Sequence, residues 1–202
     1  MGALLTALAL GNANATLLQV NSSGILTGAS GVNVNGNFYD VTFLDGSCNS
    51  LFDGCNATKF AFTDLSSALA ASQALLDQVF INNSQGSFDD NPFYIQGCGY
   101  NYYCEAFTAY STNTMFNSAS FTWSLNWNPV YGNPDLAAGP YNWSSDLTTG
   151  PTYDTSGAAV WAVWTHSPSE VSEPGSIAIL SIGLLMLITT MRRKYPNVGV
   201  TR

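Results

Sequence analysis

The sequence predicts an α+β fold, in which an antiparallel β-sheet carries one long packed helix and a single C-terminal transmembrane helix follows. Three observations lead to this prediction. Short segments in which apolar and polar residues alternate are separated by turn residues. One longer segment instead has apolar residues at spacings of three and four. Residues 175–191 form an uncharged apolar run close to the C-terminus.

The N-terminal half of the predicted sheet begins with a short strand at Leu17–Val20 and continues with a hairpin. The Asn35-Gly36 pair is typical of a type I′ turn, and β-branched and aromatic residues alternate with polar ones on both sides of it. We therefore expect two antiparallel strands within residues 32–43.

A long helix is predicted after Thr63-Asp64, which can cap its first turn. Its large apolar side chains recur at spacings of three or four, so we expect them to form one face against the sheet. These side chains are Leu65, Leu69, Leu76, Val79 and Phe80.

Three more strands are predicted at residues 106–111, 118–127 and 158–165, with a long turn-rich loop and a short strand between the last two. Within 118–127, period two places four large side chains on one face: Phe121, Trp123, Leu125 and Trp127. The last strand has apolar residues on both faces, with Ala159, Trp161 and Val163 opposing Val160, Ala162 and Trp164. We expect this strand to be buried on both sides or central in its sheet.

Charge is scarce and unevenly placed along the chain. Only 9% of the 202 residues are charged, and 13 acidic residues stand against five basic ones. Lys59 is the single lysine or arginine before position 192. Nucleic acid is excluded as a partner, because a phosphate backbone is bound by clustered lysine and arginine.

The N-terminus has the pattern of a secretory signal peptide. Residues 1–10 form a short uncharged apolar run, and Ala13 and Ala15 then satisfy the small-x-small rule for signal peptidase. We expect cleavage after Ala15, which leaves residues 16–167 as an exported α+β domain.

A second membrane signal lies at the C-terminus. The apolar run 175–191 follows a short linker, residues 168–174, and is bounded on its far side by Arg192, Arg193 and Lys194. By the positive-inside rule the basic tail, residues 192–202, stays in the cytoplasm and the acidic body lies outside. Both ends of the chain therefore predict the same orientation in the membrane.

The segment Val171-Ser172-Glu173-Pro174, the apolar helix behind it and the basic cluster together resemble the PEP-CTERM sorting domain of exported Gram-negative bacterial proteins. Ser172 stands where the family has its first proline. The resemblance implies recognition by an exosortase, a membrane-embedded cysteine transpeptidase, in organisms that make exopolysaccharide. It further implies an inner-membrane precursor that is later displayed at the cell surface or secreted.

The four cysteines, Cys48, Cys55, Cys98 and Cys104, are even in number and lie in the exported part of the chain. Three pairings are open, of which the sequence-local one closes two small loops. We expect disulfides, since an envelope is oxidising. A zinc site is disfavoured because the cysteine spacings are long and His166 is the single histidine.

Catalysis has little support in the sequence. His166 is expected to lie in the linker before the sorting motif, where a nucleophile-histidine pair would have to be built on a flexible segment. An envelope hydrolase using paired carboxylates is the third hypothesis, although nothing singles out a pair. The candidate acids are Asp53, Asp89, Asp90, Glu105, Asp135 and Asp154.

We therefore predict a non-enzymatic surface or biofilm-matrix protein that associates with exopolysaccharide and has no resident cofactor. The alternative is a calcium- or carbohydrate-binding module. For calcium, turn oxygens are offered by Asp45-Gly46, Asp53-Gly54 and Asp89-Asp90-Asn91, without an EF-hand loop. For carbohydrate, loop aromatics could stack on sugars: Tyr94, Tyr100, Tyr102, Tyr103, Tyr110, Tyr141, Trp143 and Tyr153.

Overall fold

The computed structural model describes residues 15–113, 118–142 and 157–168, and these form an α+β fold. The strands are β1 (Leu17–Val20), β2 (Leu26–Val34), β3 (Asn37–Leu44), β4 (Asn82–Asn83), β5 (Gly86–Ser87), β6 (Tyr103–Asn113), β7 (Ser118–Trp127), β8 (Leu136–Asn142) and β9 (Ala159–His166). The helices are α1 (Cys48–Leu51) and α2 (Leu65–Gln78), with short 3₁₀ turns at Ala57–Lys59, Pro92–Tyr94 and Pro129–Tyr131. The compact unit that holds these elements ends at Ser167.

Within the described ranges, no helix has both the length and the apolar character needed to cross a bilayer. The predicted membrane helix, residues 175–191, lies outside those ranges.

Seven strands form one sheet in the order β1-β2-β3-β9-β6-β7-β8, and β4 and β5 form a separate two-stranded pair. The sheet is antiparallel, as predicted, except at one pair of strands. Strand β9 is antiparallel to β3 but runs parallel to β6, with Phe107 opposite Trp161. The reason is that β9 follows the edge strand β8 in the chain but lies in the sheet between β3 and β6, two strands that precede it in sequence.

The predicted hairpin is confirmed. Strands β2 and β3 pair around Asn35 and Gly36, whose φ angles of 52° and 85° are both in the left-handed region. A type I′ turn requires this conformation at both positions, and Asn and Gly are the residues that adopt it at least cost.

The central position of β9 is also confirmed. Val160, Ala162 and Trp164 are buried in the core on the α2 side, while Ala159 and Trp161 are buried on the opposite side. The strand begins and ends one residue later than predicted, because Tyr39 of β3 pairs with His166.

Helix α2 begins as predicted, with the Asp64 side chain accepting a hydrogen bond from the Ser67 amide. The predicted core face is wrong for Leu65 and Leu69, whereas Leu76 packs partly against the core. Leu65, Leu69 and Leu76 are only half-buried, and the buried face consists mainly of small residues: Ala68, Ala71, Ser72, Ala74 and Leu75. Only Val79 and Phe80, just beyond the helix, are buried as expected.

Buried hydroxyl groups on β7 explain this rotation of the helix. Thr122 Oγ1 donates to the Ala68 carbonyl at 2.9 Å, and Ser124 Oγ donates to the Ser72 carbonyl at 2.6 Å. The Ser72 and Thr122 hydroxyls also bond each other at 2.8 Å. Such bonds require the helix backbone to approach the sheet closely, which small side chains permit and leucines do not.

The opposite side of the sheet is covered only in part. The segment that contains α1 places Phe52 and Phe60 over Trp161, with the Phe52 and Trp161 ring centroids 5.7 Å apart. A second, smaller core forms there. The cover leaves much of β7 and β8 half-exposed.

Candidate functional site

The side of β6, β7 and β8 that faces away from α2 is lined mainly by aromatic residues. Alternation and register place eight large apolar side chains there, and we call the surface that they form the aromatic face: Tyr103, Phe107, Phe121, Trp123, Leu125, Trp127, Leu136 and Tyr141. On the same three strands, the α2 side instead carries small or polar residues such as Thr108, Thr122 and Ser124.

The rings of the aromatic face contact one another in two groups. Phe107, Phe121, Tyr141 and Trp123 form a continuous row, with centroid separations of 4.7 Å, 5.9 Å and 4.7 Å between successive rings. Tyr103 and Trp127 form a second pair at 4.8 Å. Such contacts hold side chains in fixed orientations, so the surface is formed before any ligand arrives.

Burial falls across this face from the middle of the sheet to its edge. Phe107 and Phe121 are buried beside Trp161, whereas Trp123, Leu125 and Trp127 are half-buried. On the edge strand, Leu136 is 50% and Tyr141 is 44% exposed. Trp123 and Trp127 lie four residues apart on one strand, or about 13 Å, which is long enough for an extended ligand.

Three further tyrosines extend the site beyond the ends of β6 and β7. Tyr102 has ring centroids 4.8 Å from Tyr100 and 4.2 Å from Tyr131, and Tyr100 lies 5.3 Å from Tyr103. Tyr102 and Tyr131 are 41% and 45% exposed. Loss of solvent, followed by a hydrogen bond with Tyr102, raises the pKa of Tyr131 above 10.0.

The charge near the aromatic face is mainly negative. Glu105 lies on β6 between Tyr103 and Phe107, and register places it opposite Leu125 and Ala159. The covering segment adds the exposed acid Asp53 and the basic residue Lys59. The site thus combines flat apolar rings with carboxylates.

The structure brings together one pair of the candidate catalytic acids, Asp89 and Asp135. Burial, followed by the charge of Asp135 and a hydrogen bond with it, raises the pKa of Asp89 above 3.8. Asp135 Oδ1 also accepts from the Trp127 amide at 2.7 Å. Asp89 follows Phe88, which is buried in the core on the α2 side, and Asp135 directly precedes Leu136, so this pair lies where β7 ends and β8 begins.

The other candidate acids, and the turns that were candidates for binding calcium, are dispersed over the structure. In the part of the chain that the structure describes, no three His, Cys, Asp or Glu side chains are grouped so that they could hold a metal ion. Asp53 and Asp90 are exposed on separate loops, and Asp154 lies outside the described residues.

The predicted aromatic candidates separate into several groups. Tyr100, Tyr102, Tyr103 and Tyr141 belong to the site. Tyr94 is 44% exposed but stands beside Phe93 in another turn, and Tyr110 packs against the core on the α2 side. Trp143 and Tyr153 lie outside the described residues. The sequence placed Trp123 and Trp127 on one face of β7 but did not identify them, Leu136 or Tyr131 as binding residues.

The cysteines form two disulfides, Cys48–Cys55 and Cys98–Cys104, which is the sequence-local pairing. The first closes a loop within the covering segment, and both of its cysteines are buried in the smaller core. The second lies where β6 begins and is fully buried.

Most residues of the predicted processing signals lie beyond what the structure describes. These are Ala13, the sorting motif Val171, Ser172, Glu173 and Pro174, and the basic cluster Arg192, Arg193 and Lys194. Ala15 is exposed, and Thr16 bonds Gln78 Oε1 at 3.0 Å. The prediction that His166 lies in the linker is wrong, because His166 pairs with Tyr39 as the last residue of β9. Its ring lies 4.5 Å from that of Tyr39.

The chain matches no protein-family model, no curated protein and no solved structure.

Proposed function

We propose that this chain is an exported protein of the cell surface or biofilm matrix, and that its aromatic face binds exopolysaccharide without catalysis. The aromatic face carries the binding part of the proposal. The order of signals along the chain carries the export part.

For export, the supporting observations come from both ends and from the cysteines. Residues 1–15 have the signal-peptide pattern, and residues 168–202 resemble a PEP-CTERM tail with its motif, membrane helix and basic cluster. Two disulfides in the body are typical of an oxidising compartment outside the cytoplasm. In this proposal signal peptidase and an exosortase process the precursor at the inner membrane, and the body then reaches the surface or the medium.

For binding, the aromatic face has the properties that sugar polymers require. A pyranose ring has an apolar face of C–H groups, which gains contact and attraction when it lies flat on an aromatic ring. Soluble proteins seldom leave such rings side by side in partial contact with solvent unless the surface is used. The tyrosine hydroxyls at the border supply hydrogen-bonding groups for the sugar hydroxyls.

A hydrolytic role is disfavoured by the geometry of the acids. Glycosidases hold two carboxyl groups at least about 5 Å apart on either side of the scissile bond. Asp89 and Asp135 are instead hydrogen-bonded to each other. We therefore assign these acids no chemical step.

The binding proposal is tested by affinity electrophoresis of the purified protein in gels that contain exopolysaccharide from the native host. Trp123→Ala and Tyr141→Ala should each raise the dissociation constant at least ~10-fold and so reduce retardation, since each removes a ring of the aromatic face. Tyr94→Ala is the matched control, because Tyr94 is as exposed as Tyr141 but lies elsewhere. Equal retardation of all four proteins would contradict the proposal.

The export proposal is tested by the intact mass of the protein recovered from the envelope and medium of the native host, with and without its exosortase. We expect loss of residues 1–15 in both strains, and loss of the tail after about Pro174 only when the exosortase is present. A tail that persists in both strains would make the protein a plain single-pass anchor.

A further inference from the structure

We infer that Tyr102 and Tyr131 form a site of oxidative modification, at which a one-electron oxidant of the peroxidase class joins the two rings by an intramolecular dityrosine crosslink. The inference goes beyond glycan binding and concerns the tyrosines at the ends of β6 and β7. Its occurrence in the cell rests on the proposed export, because the reaction needs an oxidising compartment.

The two rings are in contact before any reaction. Their centroids lie 4.2 Å apart, and the ring planes are tilted by 37°. At this separation ring carbons are at van der Waals distance. The two hydroxyls are also hydrogen-bonded to each other. A phenoxyl radical couples at the ring carbon next to its oxygen, and the bonded hydroxyls bring these ortho carbons together.

The backbone around both tyrosines holds them in this arrangement. The Asn128 amide donates to the Tyr102 carbonyl at 2.8 Å, and the Tyr131 amide donates to the Asn128 carbonyl at 3.1 Å. The Asn128 side chain also accepts from the Val130 amide at 3.0 Å, which caps the same turn. Asn128 thus connects the two segments, so the reacting groups are positioned in advance.

Exposure together with a second phenol in contact selects this pair. Tyr102, Tyr131 and Tyr94 are exposed to nearly the same degree. The ring beside Tyr94 is that of Phe93, at 5.8 Å, and phenylalanine forms no phenoxyl radical. Tyr100 also contacts Tyr102, at 4.8 Å, but Tyr100 is only partly exposed. The geometry therefore favours Tyr131 as the partner of Tyr102.

The reaction is balanced with hydrogen peroxide as the terminal oxidant. Each tyrosine gives up one electron and its phenolic proton, which leaves two phenoxyl radicals. The radicals combine in a carbon–carbon bond between their ortho positions. Each of these carbons then loses its hydrogen to the oxygen of its own ring, which restores both phenols. The two electrons and two protons reduce one peroxide to two water molecules.

The link would fasten one end of the aromatic face. Its two tyrosines stand immediately before β6 and shortly after β7, so the bond closes a loop that contains both strands. A covalent link of this kind stabilises a protein mainly by restricting the unfolded chain. The crosslinked chain should therefore unfold at a higher urea concentration than the untreated chain.

The experiment oxidises the purified full chain in detergent with a haem peroxidase and hydrogen peroxide at low protein concentration. The monomer is then isolated and studied by dityrosine fluorescence, intact mass and tandem mass spectrometry of its proteolytic fragments. We expect the monomer to lose two hydrogen atoms and to contain one link, between the fragments that hold Tyr102 and Tyr131.

Single substitutions identify the reacting residues. Tyr102→Phe and Tyr131→Phe should each reduce the dityrosine yield of the monomer at least ~10-fold, since each removes one of two phenols held in contact. Tyr94→Phe is the matched control and should leave the yield unchanged, as should Tyr100→Phe. Each variant keeps its aromatic ring, and an unaltered urea midpoint before oxidation verifies that it folds.

Several outcomes would overturn the inference. These are a link between any other pair of tyrosines, dityrosine confined to dimers, and equal yields in the wild type and the Tyr102→Phe and Tyr131→Phe variants. A crosslinked monomer with the urea midpoint of untreated protein would contradict the proposed fastening. Retardation of untreated protein by host exopolysaccharide is a separate readout, so failure of the crosslink leaves the proposed function in place.

Discussion

The contact between α2 and β7 depends on one pair of buried hydroxyls, and its removal is a quantitative test of the fold. We consider Thr122→Val, which keeps the shape of the side chain and replaces the hydroxyl by a methyl group. Thr122 is fully buried, and its Oγ1 bonds both the Ser72 hydroxyl at 2.8 Å and the Ala68 carbonyl at 2.9 Å. The substitution removes two hydrogen bonds and leaves the Ser72 hydroxyl buried without this partner.

The expected magnitude follows from these contacts. Each lost hydrogen bond contributes about 1 kcal/mol net, and a buried polar group left without a partner costs about 1–3 kcal/mol. Thr122→Val should therefore lower the free energy of unfolding by about 2–4 kcal/mol. Ser72→Ala should cost about 1–2 kcal/mol, because Thr122 keeps its bond to Ala68. The double variant Ser72→Ala/Thr122→Val should cost less than the two singles together, since neither hydroxyl is then orphaned.

The assay is urea unfolding of the oxidised protein, followed by tryptophan fluorescence, for the wild type, both singles and the double. The cycle should give a coupling of about 1–2 kcal/mol between the two sites. A Thr122→Val variant as stable as the wild type, or strictly additive singles, would refute the argument that these hydroxyls fix the helix against the sheet.

The remaining predictions concern covalent links and ionisable groups. Replacing Cys98 and Cys104 together by alanine should lower the free energy of unfolding by about 2 kcal/mol, since the loop spans only six positions; an unchanged urea midpoint would contradict this. The folded-state pKa of Asp89 is raised, so its contribution to stability is present at acidic pH and is lost as pH rises through that pKa. Asp89→Asn should therefore raise the urea midpoint at pH 7.5 more than at pH 4, and equal shifts would count against repulsion from Asp135. The pKa of Asp64 is lowered, chiefly by the amide hydrogen bond at its cap. Its contribution is lost as pH falls through the folded pKa, so Asp64→Ala should destabilise at neutral pH and have little effect at pH 2, as checked by thermal unfolding.

The distribution of side chains on β7 links the fold to the proposed function. Strands that have one face against a core usually place their largest apolar residues there. In β7 the face against α2 carries Thr122 and Ser124, while Trp123 and Trp127 lie on the less covered face. The hydroxyls form hydrogen bonds with the helix backbone, and the aromatic rings remain available for a ligand.

Features that depend on neighbouring residues were predictable from the sequence. The Asn35-Gly36 turn and the Asp64 cap are determined by local backbone preferences and by side chains that reach their own backbone. The two buried faces of β9 were also predictable, because a strand that is apolar on both faces has only one kind of place in a sheet.

Features that depend on distant parts of the chain were not predictable from the sequence. Period two in β7 showed that its large side chains share a face, but it could not tell which face α2 would cover. The same is true of the parallel contact of β6 with β9 and of the pairing of Asp89 with Asp135, which bring together residues far apart in sequence. The sequence also left open which of three disulfide connectivities forms. The sequence by itself determined the elements, their turns and caps and the charge of the body, because these are properties of short segments. Only the tertiary structure decided which aromatic side chains reach solvent, because that depends on what the rest of the chain covers.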